Sequence, residues 1–364
     1  MSRIAISFFA GAGGLDIGIH EAGFDVKLSV ELEEKYCVTL KQNNPTFNVV
    51  NGDIMEYSKE KIYHDANLKH NDEIDLIFGG SPCQSFSTAG KRKAFSDERG
   101  MAMLKFIDLI EEVKPKAFLL ENVKGLLSAP LKHRPLNERG EDFPPLEKEE
   151  QNGSALEYLL NQVKDYDVKY KVVNSAEYGV PQKRERVIFV GIRKDLNKVY
   201  TFPEITHGKN TKNPFNTVGD VIKSLGNIEH TYVRYSEERL KYMKLIPLGG
   251  GNWRDLDESI VEKAMGGAYK SGGGKTGYFR RVKANEPSPT LLTSPIQKST
   301  NIGHPYEDRP LSIEEYMAIQ GFPEGYKLNG TINDQYTQIG NAVPVKVAKI
   351  LGSKLLEVLE RQKN

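Results

Sequence analysis

Along the first third of the chain, short apolar runs alternate with stretches of helical periodicity. Residues 4–9 read as a strand, and a glycine-rich turn within 10–18 opens a helix. A second strand at 26–30 ends in Glu31, residues 33–42 look helical, and a short third strand covers 47–50. Residues 74–78 form a fourth, almost wholly apolar strand, followed by helical periodicity at 101–113. A fifth strand at 116–121 runs into Glu121-Asn122-Val123. A helix near 156–163 and strands at 168–173 and 187–191 complete the series, with no internal repeat. Strands alternating with helices predict a doubly wound α/β domain built on a mostly parallel sheet.

Two stretches depart from this rhythm. Residues 130–152 are charged, contain prolines and hold few apolar positions, so they read as an inserted loop outside the core, open to motion. Beyond about residue 202 the alternation stops, and glycines and aromatics cluster, as in Gly249-Gly250-Gly251-Asn252-Trp253. That shift predicts a second, smaller domain, irregular and β-rich. Residues 341–359 form an amphipathic helix expected to pack back on the first domain. The expected division is therefore 1–200 plus 335–364 for the first domain and 201–334 for the second.

Composition narrows the class without choosing a function. The 364 residues suffice for two domains, and 27% charged with 38% hydrophobic residues is ordinary for a globular protein. No run approaches the ~20 apolar residues of a membrane span, and no apolar signal segment opens the chain. Two cysteines exclude a disulfide scaffold and a four-cysteine metal site, and they suit a reducing cytoplasm. A net charge of +1 means that any contact with a polyanion must come from local patches.

Candidate chemistry sits where strands end. Cys83 lies in Gly79-Gly80-Ser81-Pro82-Cys83-Gln84-Ser85-Phe86-Ser87, just past the fourth strand, where open α/β sheets place ligands. An isolated cysteine is more often a small buried hydrophobe, but this loop context favours reactivity. Gly11, Gly13 and Gly14 allow close backbone approach at a helix N-terminus, and Glu31 follows at the spacing that suits a ribose hydroxyl. Asp53 could accept from an adenine amine, or could simply cap a turn. Glu121 closes an apolar strand at the same sheet edge as Cys83. Arg184 and Arg186, alternating in an extended segment, would share one side of it.

Taken in order, five motifs resemble the cytosine-5 DNA methyltransferases. They are Phe9-Ala10-Gly11-x-Gly13-Gly14, Pro82-Cys83-Gln84, Glu121-Asn122-Val123, Gln182-x-Arg184-x-Arg186 and Gly340-Asn341-Ala342-Val343-Pro344. The resemblance covers all but the inserted loop and most of residues 202–280. It implies a Rossmann-like S-adenosylmethionine-dependent domain with a target-recognition domain. Cys83 matches the nucleophile that adds to C6 of cytosine. Glu121 matches the carboxyl at N3 and the exocyclic amine, and Arg186 the arginine at O2, with Arg184 a helper. The cofactor residues carried over are Phe9, Gly11, Gly13, Gly14, Glu31, Asp53, Ile54 and Asn341, with no metal. Leu32 stands where the family often has tryptophan, which reduces the stacking area.

The resemblance further implies a flipped-out target base, since a stacked duplex hides C5 and C6. Pro82, Gln84, Ser85, Ser87, Lys91 and Arg92 would contact the substrate from a loop that closes over it and is mobile without it. Arg280 and Arg281, with Lys270, Lys275 and Lys283, would face phosphates, and Asn252, Trp253 and Arg254 are candidates for base contacts. Double-stranded DNA, a restriction endonuclease of matching specificity, a monomeric state and a cytoplasmic, nucleoid-associated location are the implied setting. A tRNA cytosine methyltransferase is the nearest rival, and the long region 202–330 favours a DNA reader. A nicotinamide oxidoreductase would leave Cys83 and Glu121 without a role. A decayed DNA-binding relative would have lost one of these motifs.

Overall fold

The computed structural model describes residues 3–82, 98–272 and 275–361. They form two compact units, residues 1–173, 185–204 and 348–364 in the first and residues 174–184 and 205–347 in the second. Against the expected division, segments 174–184 and 335–347 group with the second unit.

The first unit is built on strands β1 (Arg3–Phe8), β2 (Phe24–Glu31), β3 (Val49–Asn51), β4 (Leu76–Gly80), β5 (Ala117–Asn122) and β6 (Tyr166–Asn174). After β6 come the two-residue β7 (Gln182–Lys183), which lies in the second unit, and the long β8 (Glu185–Arg193). The sheet runs β3-β2-β1-β4-β5-β8-β6, with β1 to β5 parallel to their neighbours and β8 antiparallel to β5. From β1 the chain winds outward through β2 and β3, then returns to wind the other way through β4 and β5. The order therefore reverses between β1 and β4, and a crevice at their carboxyl ends is where such sheets bind ligands.

Helices α1 (Gly14–Glu21), α2 (Glu34–Asn43), α3 (Lys59–Asp65), α4 (Glu98–Val113) and α5 (Ser154–Gln162) connect these strands. The seven expected strands are present with shifted ends, whereas α3 was not anticipated. Its seven residues are too few for a clear apolar period, and its N-cap serine, Ser58, is the one local signal. The core is continuous through the sheet. Phe8 meets Tyr57 and Phe106 edge-on, with ring centroids 5.4 and 6.3 Å apart. Fully burying such a side chain contributes about 1.5–3 kcal/mol. Gly79 pairs with Phe8, and a Cβ there would stand 2.6 Å from the Phe8 carbonyl oxygen. Only glycine lets β4 lie this close to the end of β1.

The charged insert at 130–152 is a closed loop rather than loose chain. Arg134 donates to Glu150 Oε1 at 2.9 Å and to the Pro144 carbonyl at 2.6 Å, and Arg139 donates to the Arg134 carbonyl at 2.8 Å. Its few apolar residues predicted exposure correctly. The arginine-to-carbonyl bonds that close it leave no periodic trace in sequence.

The second unit contains helices α6 (Val218–Leu225), α7 (Glu237–Met243), α8 (Glu258–Met265), α9 (Ile313–Gln320) and α10 (Ile332–Asn341), plus β9 (Ser288–Pro289) beside β7. It is irregular as expected, but "β-rich" needs narrowing. Among its described residues, regular strand is confined to β7 and β9, with a few isolated bridges. Glycine and proline interrupt the ladders, and one side chain organises the loops instead. Arg281 is 1% exposed and donates to the carbonyls of Ile246, His304 and Met243 at 3.1, 3.2 and 2.9 Å, and also to Glu307 and Asp308. Arg281→Leu is expected to cost about 3–5 kcal/mol, because it strands buried carbonyls and leaves Asp308 unpaired. Denaturant melting reads this, and a change below about 0.5 kcal/mol would contradict it.

The last helix, α11 (Val345–Glu360), begins in the second unit and continues in the first. In the first unit it lies on α1, where Gly352 approaches Ile19 and Ala22 and Lys349 pairs with Glu21 at 3.1 Å.

Candidate active site

The turn after β1 is held by a carboxylate from the next strand. Phe9, Gly11 and Gly13 have φ of 58, 56 and 83°, a left-handed backbone that suits glycine and strains Phe9. Gly13 is the N-cap of α1. Glu31, the last residue of β2 and 7% exposed, accepts the Gly11 N–H at 2.7 Å and the Glu33 N–H at 2.9 Å. Burial pushes its carboxyl above the usual range, while the two backbone donors pull the other way.

Around this turn the expected cofactor residues gather from neighbouring strand ends. Asp53 caps the short turn Ile54–Glu56, accepting from the Met55 N–H at 2.9 Å, so one of its oxygens has the turn-capping job. Ile54 is buried, whereas Leu32 is 63% and Met55 43% exposed. A left-handed glycine turn, a strand-end carboxylate and exposed apolar side chains fit a nucleoside cofactor: close backbone approach, hydroxyl acceptor and adenine wall. Asn341 is the last residue of α10, in the second unit.

The second half of the site lies at the ends of β4 and β5. Gly80 and Glu121 are register partners, and a Cβ on Gly80 would stand 3.0 Å from Glu121 Oε2. Glu121 is 6% exposed, with its Oε1 2.9 Å from Nε of Arg186. That distance gives charge attraction, but Glu121 Oε1 has no aligned hydrogen-bond donor among the described residues. The pair is an ion contact with unused acceptor capacity. Glu31 on β2 and Glu121 on β5 are three strand spacings apart, roughly 14 Å along the sheet edge.

Sequence reading named Asn122 only as part of a motif and gave it no task. It is fully buried, and its amide donates to Ser81 Oγ at 2.8 Å and to the Ser81 carbonyl at 3.4 Å. Asn122 therefore ties Ser81, just past the end of β4, to β5. A polar residue in the buried run of β5 was the available signal. Cys83, Gln84, Ser85, Ser87, Lys91 and Arg92 lie outside the described residues, and Pro82 is the last described residue before them.

The structure separates the arginines that sequence grouped. Arg186 reaches Glu121, but Arg184 is 1% exposed and donates to the carbonyls of Leu291, Gly340 and Asn341 at 3.4, 3.0 and 3.3 Å within the second unit. Its neighbour Gln182 accepts from Leu291 N–H and donates to Gln320, which donates to the Ile339 carbonyl. These motif residues hold α9, α10 and β7 together. Arg281, expected at DNA, is corrected to a scaffold role, because burial and five protein acceptors leave it no reach toward a phosphate. Arg280 beside it is half-buried; its Nε donates to the Asn301 carbonyl at 3.0 Å, and no carboxylate pairs with it among the described residues. Asn252 is engaged in a capping box with Asp255, and Trp253 supports Arg254, whose guanidinium lies 4.8 Å above the indole.

Comparison with known proteins agrees with this geometry. The chain is 39% identical over 357 residues to the Type II methyltransferase M.Sau96I of Staphylococcus aureus, covering 97% of this chain and 75% of that protein. It is 37% identical over 367 residues to M.PspPI of a Psychrobacter species, covering 97% and 79%. The crystal structure of a protein encoded within an E. coli prophage superimposes with a TM-score of 0.68 at 26% identity, covering 99% of this chain and 100% of that one. The family model of C-5 cytosine-specific DNA methylases matches residues 4–357, and the chain belongs to that family.

Proposed function

We propose that the chain methylates one cytosine within a specific duplex DNA sequence, with Cys83 adding to C6 of a flipped-out base. The observation that supports this most is buried Glu121 beside Arg186, one strand from the loop that leads into Cys83. C5 of cytosine is a weak nucleophile, and a thiolate bonded to C6 makes it an electron-rich one. Glu121, hydrogen-bonded at N3 and the exocyclic amine, would limit the charge that builds on the ring, and Arg186 would take O2. When bound, S-adenosylmethionine supplies an electrophilic methyl group. Phe9, Gly11, Gly13, Gly14, Glu31, Asp53 and Ile54 would hold it, with Glu31 on the ribose hydroxyls.

The second unit would read the sequence, with Arg280 and Arg254 the guanidinium groups best placed to meet DNA. The two relatives are named Type II methyltransferases. A restriction endonuclease cutting the same site is accordingly the proposed functional partner of a monomeric, cytoplasmic enzyme.

Transfer of labelled methyl from S-adenosylmethionine to duplex DNA, single-stranded DNA and tRNA tests this reading. Label recovered as 5-methylcytosine in duplex DNA at a single sequence is expected. Label in tRNA alone would overturn the substrate, and label in none would overturn the activity.

A further inference from the structure

Beneath the cofactor turn lies a carboxyl that no step above uses. Asp16, in the first turn of α1, is 0% exposed. Ser7 on β1 and Ser29 on β2 are register partners on adjacent parallel strands, and both are buried. Ser29 Oγ donates to Asp16 Oδ1 at 2.7 Å. Among the described residues, Asp16 Oδ2 and Ser7 Oγ are buried without a hydrogen-bond partner, although Ser7 stands near enough to pull on the carboxyl. Two residues beyond Ser29, Glu31 takes the Gly11 N–H. Glu31 thus holds the middle of the turn at 9–14, and Asp16 ties the first turn of α1 that follows it to β2.

We propose that Asp16 is a positioning residue of the cofactor turn and acts as the neutral acid, its Oδ2 hydroxyl donating to Ser7 while Oδ1 accepts from Ser29. The proposal rests on the reading of this turn as the cofactor site. Burial and partners decide how readily each of these two carboxyls keeps its proton. Glu31 has two backbone N–H donors that favour its charge. Asp16 has one hydroxyl and no exposure, so the proton belongs on Asp16, leaving Glu31 anionic for ribose hydroxyls. Burial pushes Asp16 up to about 6 against the pull of Ser29, Ser7 and its own N–H, with the charge of Glu31 adding to the rise.

Other titratable groups near α1 are turned elsewhere. His20 stacks edge-on against Phe47, and Lys349 of α11 pairs with Glu21. The folded value of Asp16 lies above the ~3.9 of an unfolded aspartate. The neutral form therefore stabilises the fold fully below about pH 4, and that contribution is lost as pH rises through about 6.

Asparagine reproduces the neutral acid, with one acceptor for Ser29 and one donor for Ser7. Ligand-free melting of wild type and Asp16→Asn tests the proton alone. The curves should coincide near pH 3.5, separate between about pH 4 and 6, and keep a constant gap at higher pH, with wild type lower by roughly 3–6 °C at pH 8. Titration with S-adenosylhomocysteine, which lacks the sulfonium charge, tests the coupling. Wild-type affinity should fall about tenfold between pH 5.5 and 7.5, as one unit of differential shift implies. Asp16→Asn should stay at the acid value throughout, and Asp16→Ala should bind weakly at every pH. Parallel melting curves, or an Asp16→Asn variant that binds as poorly as Asp16→Ala, overturn the neutral-acid role. No binding by either protein at any pH overturns the cofactor-turn reading and the coupling with it, while melting still reads the proton.

Discussion

Cys83→Ser is expected to abolish methyl transfer to duplex DNA, a loss on the order of 10⁴-fold or more. A thiol with a pKa near ~8.5 supplies some thiolate at neutral pH, whereas a serine hydroxyl holds its proton far more tightly. Serine therefore needs a strong base at the nucleophile, and none of the five motifs contains a histidine. The substitution removes one polarisable atom and leaves Pro82, Asn122 and Glu121 untouched. Binding of duplex and of S-adenosylhomocysteine should stay within about threefold of wild type. Label transfer under single-turnover conditions separates the cases. A variant that keeps more than about a tenth of wild-type rate would mean that another group attacks C6.

Glu121→Gln should lower kcat by about 10²–10³, with duplex affinity little changed. Glutamine keeps the volume, one acceptor and a donor that N3 can accept. It cannot give up a proton, however, and it leaves Arg186 without the counter-charge now 2.9 Å away. The geometry predicts a loss concentrated in the chemical step, because Glu121 Oε1, buried beside Arg186, has no aligned donor among the described residues. A Glu121→Gln enzyme that loses affinity and retains kcat would make Glu121 a binding residue only. Arg186→Lys would then show whether the charge alone suffices, since lysine keeps charge but not the planar fork.

Much of the first unit was legible because its signals are local. An almost uninterrupted apolar run can only be a buried strand or a buried helix, and the length and flanking glycines of 74–78 settle which. Glycines at 11 and 13 announce a left-handed turn, since few other residues adopt it without strain. Glu31 and Glu121 stood out as carboxylates closing apolar runs. Strand alternation then puts both at the carboxyl edge, with no need to know the packing.

What only the tertiary structure decided is the division of labour among residues of one type. Arg280 and Arg281 are adjacent and chemically identical in sequence. Burial and partners from 243 to 308 make one a scaffold and leave the other without a carboxylate among the described residues. Arg184 and Arg186 part in the same way, one to carbonyls beside α10 and the other to Glu121. Asp16 stands in the first turn of α1, where an acid is usually exposed and favoured by the helix dipole. Its placement over Ser7 and Ser29 instead makes it a buried group with a shifted proton. Backbone conformation follows neighbours in the chain, so sequence by itself determined the strands, the turn and the strand-end acids. Desolvation and pairing depend on groups tens to hundreds of residues away, and only the fold brings those together.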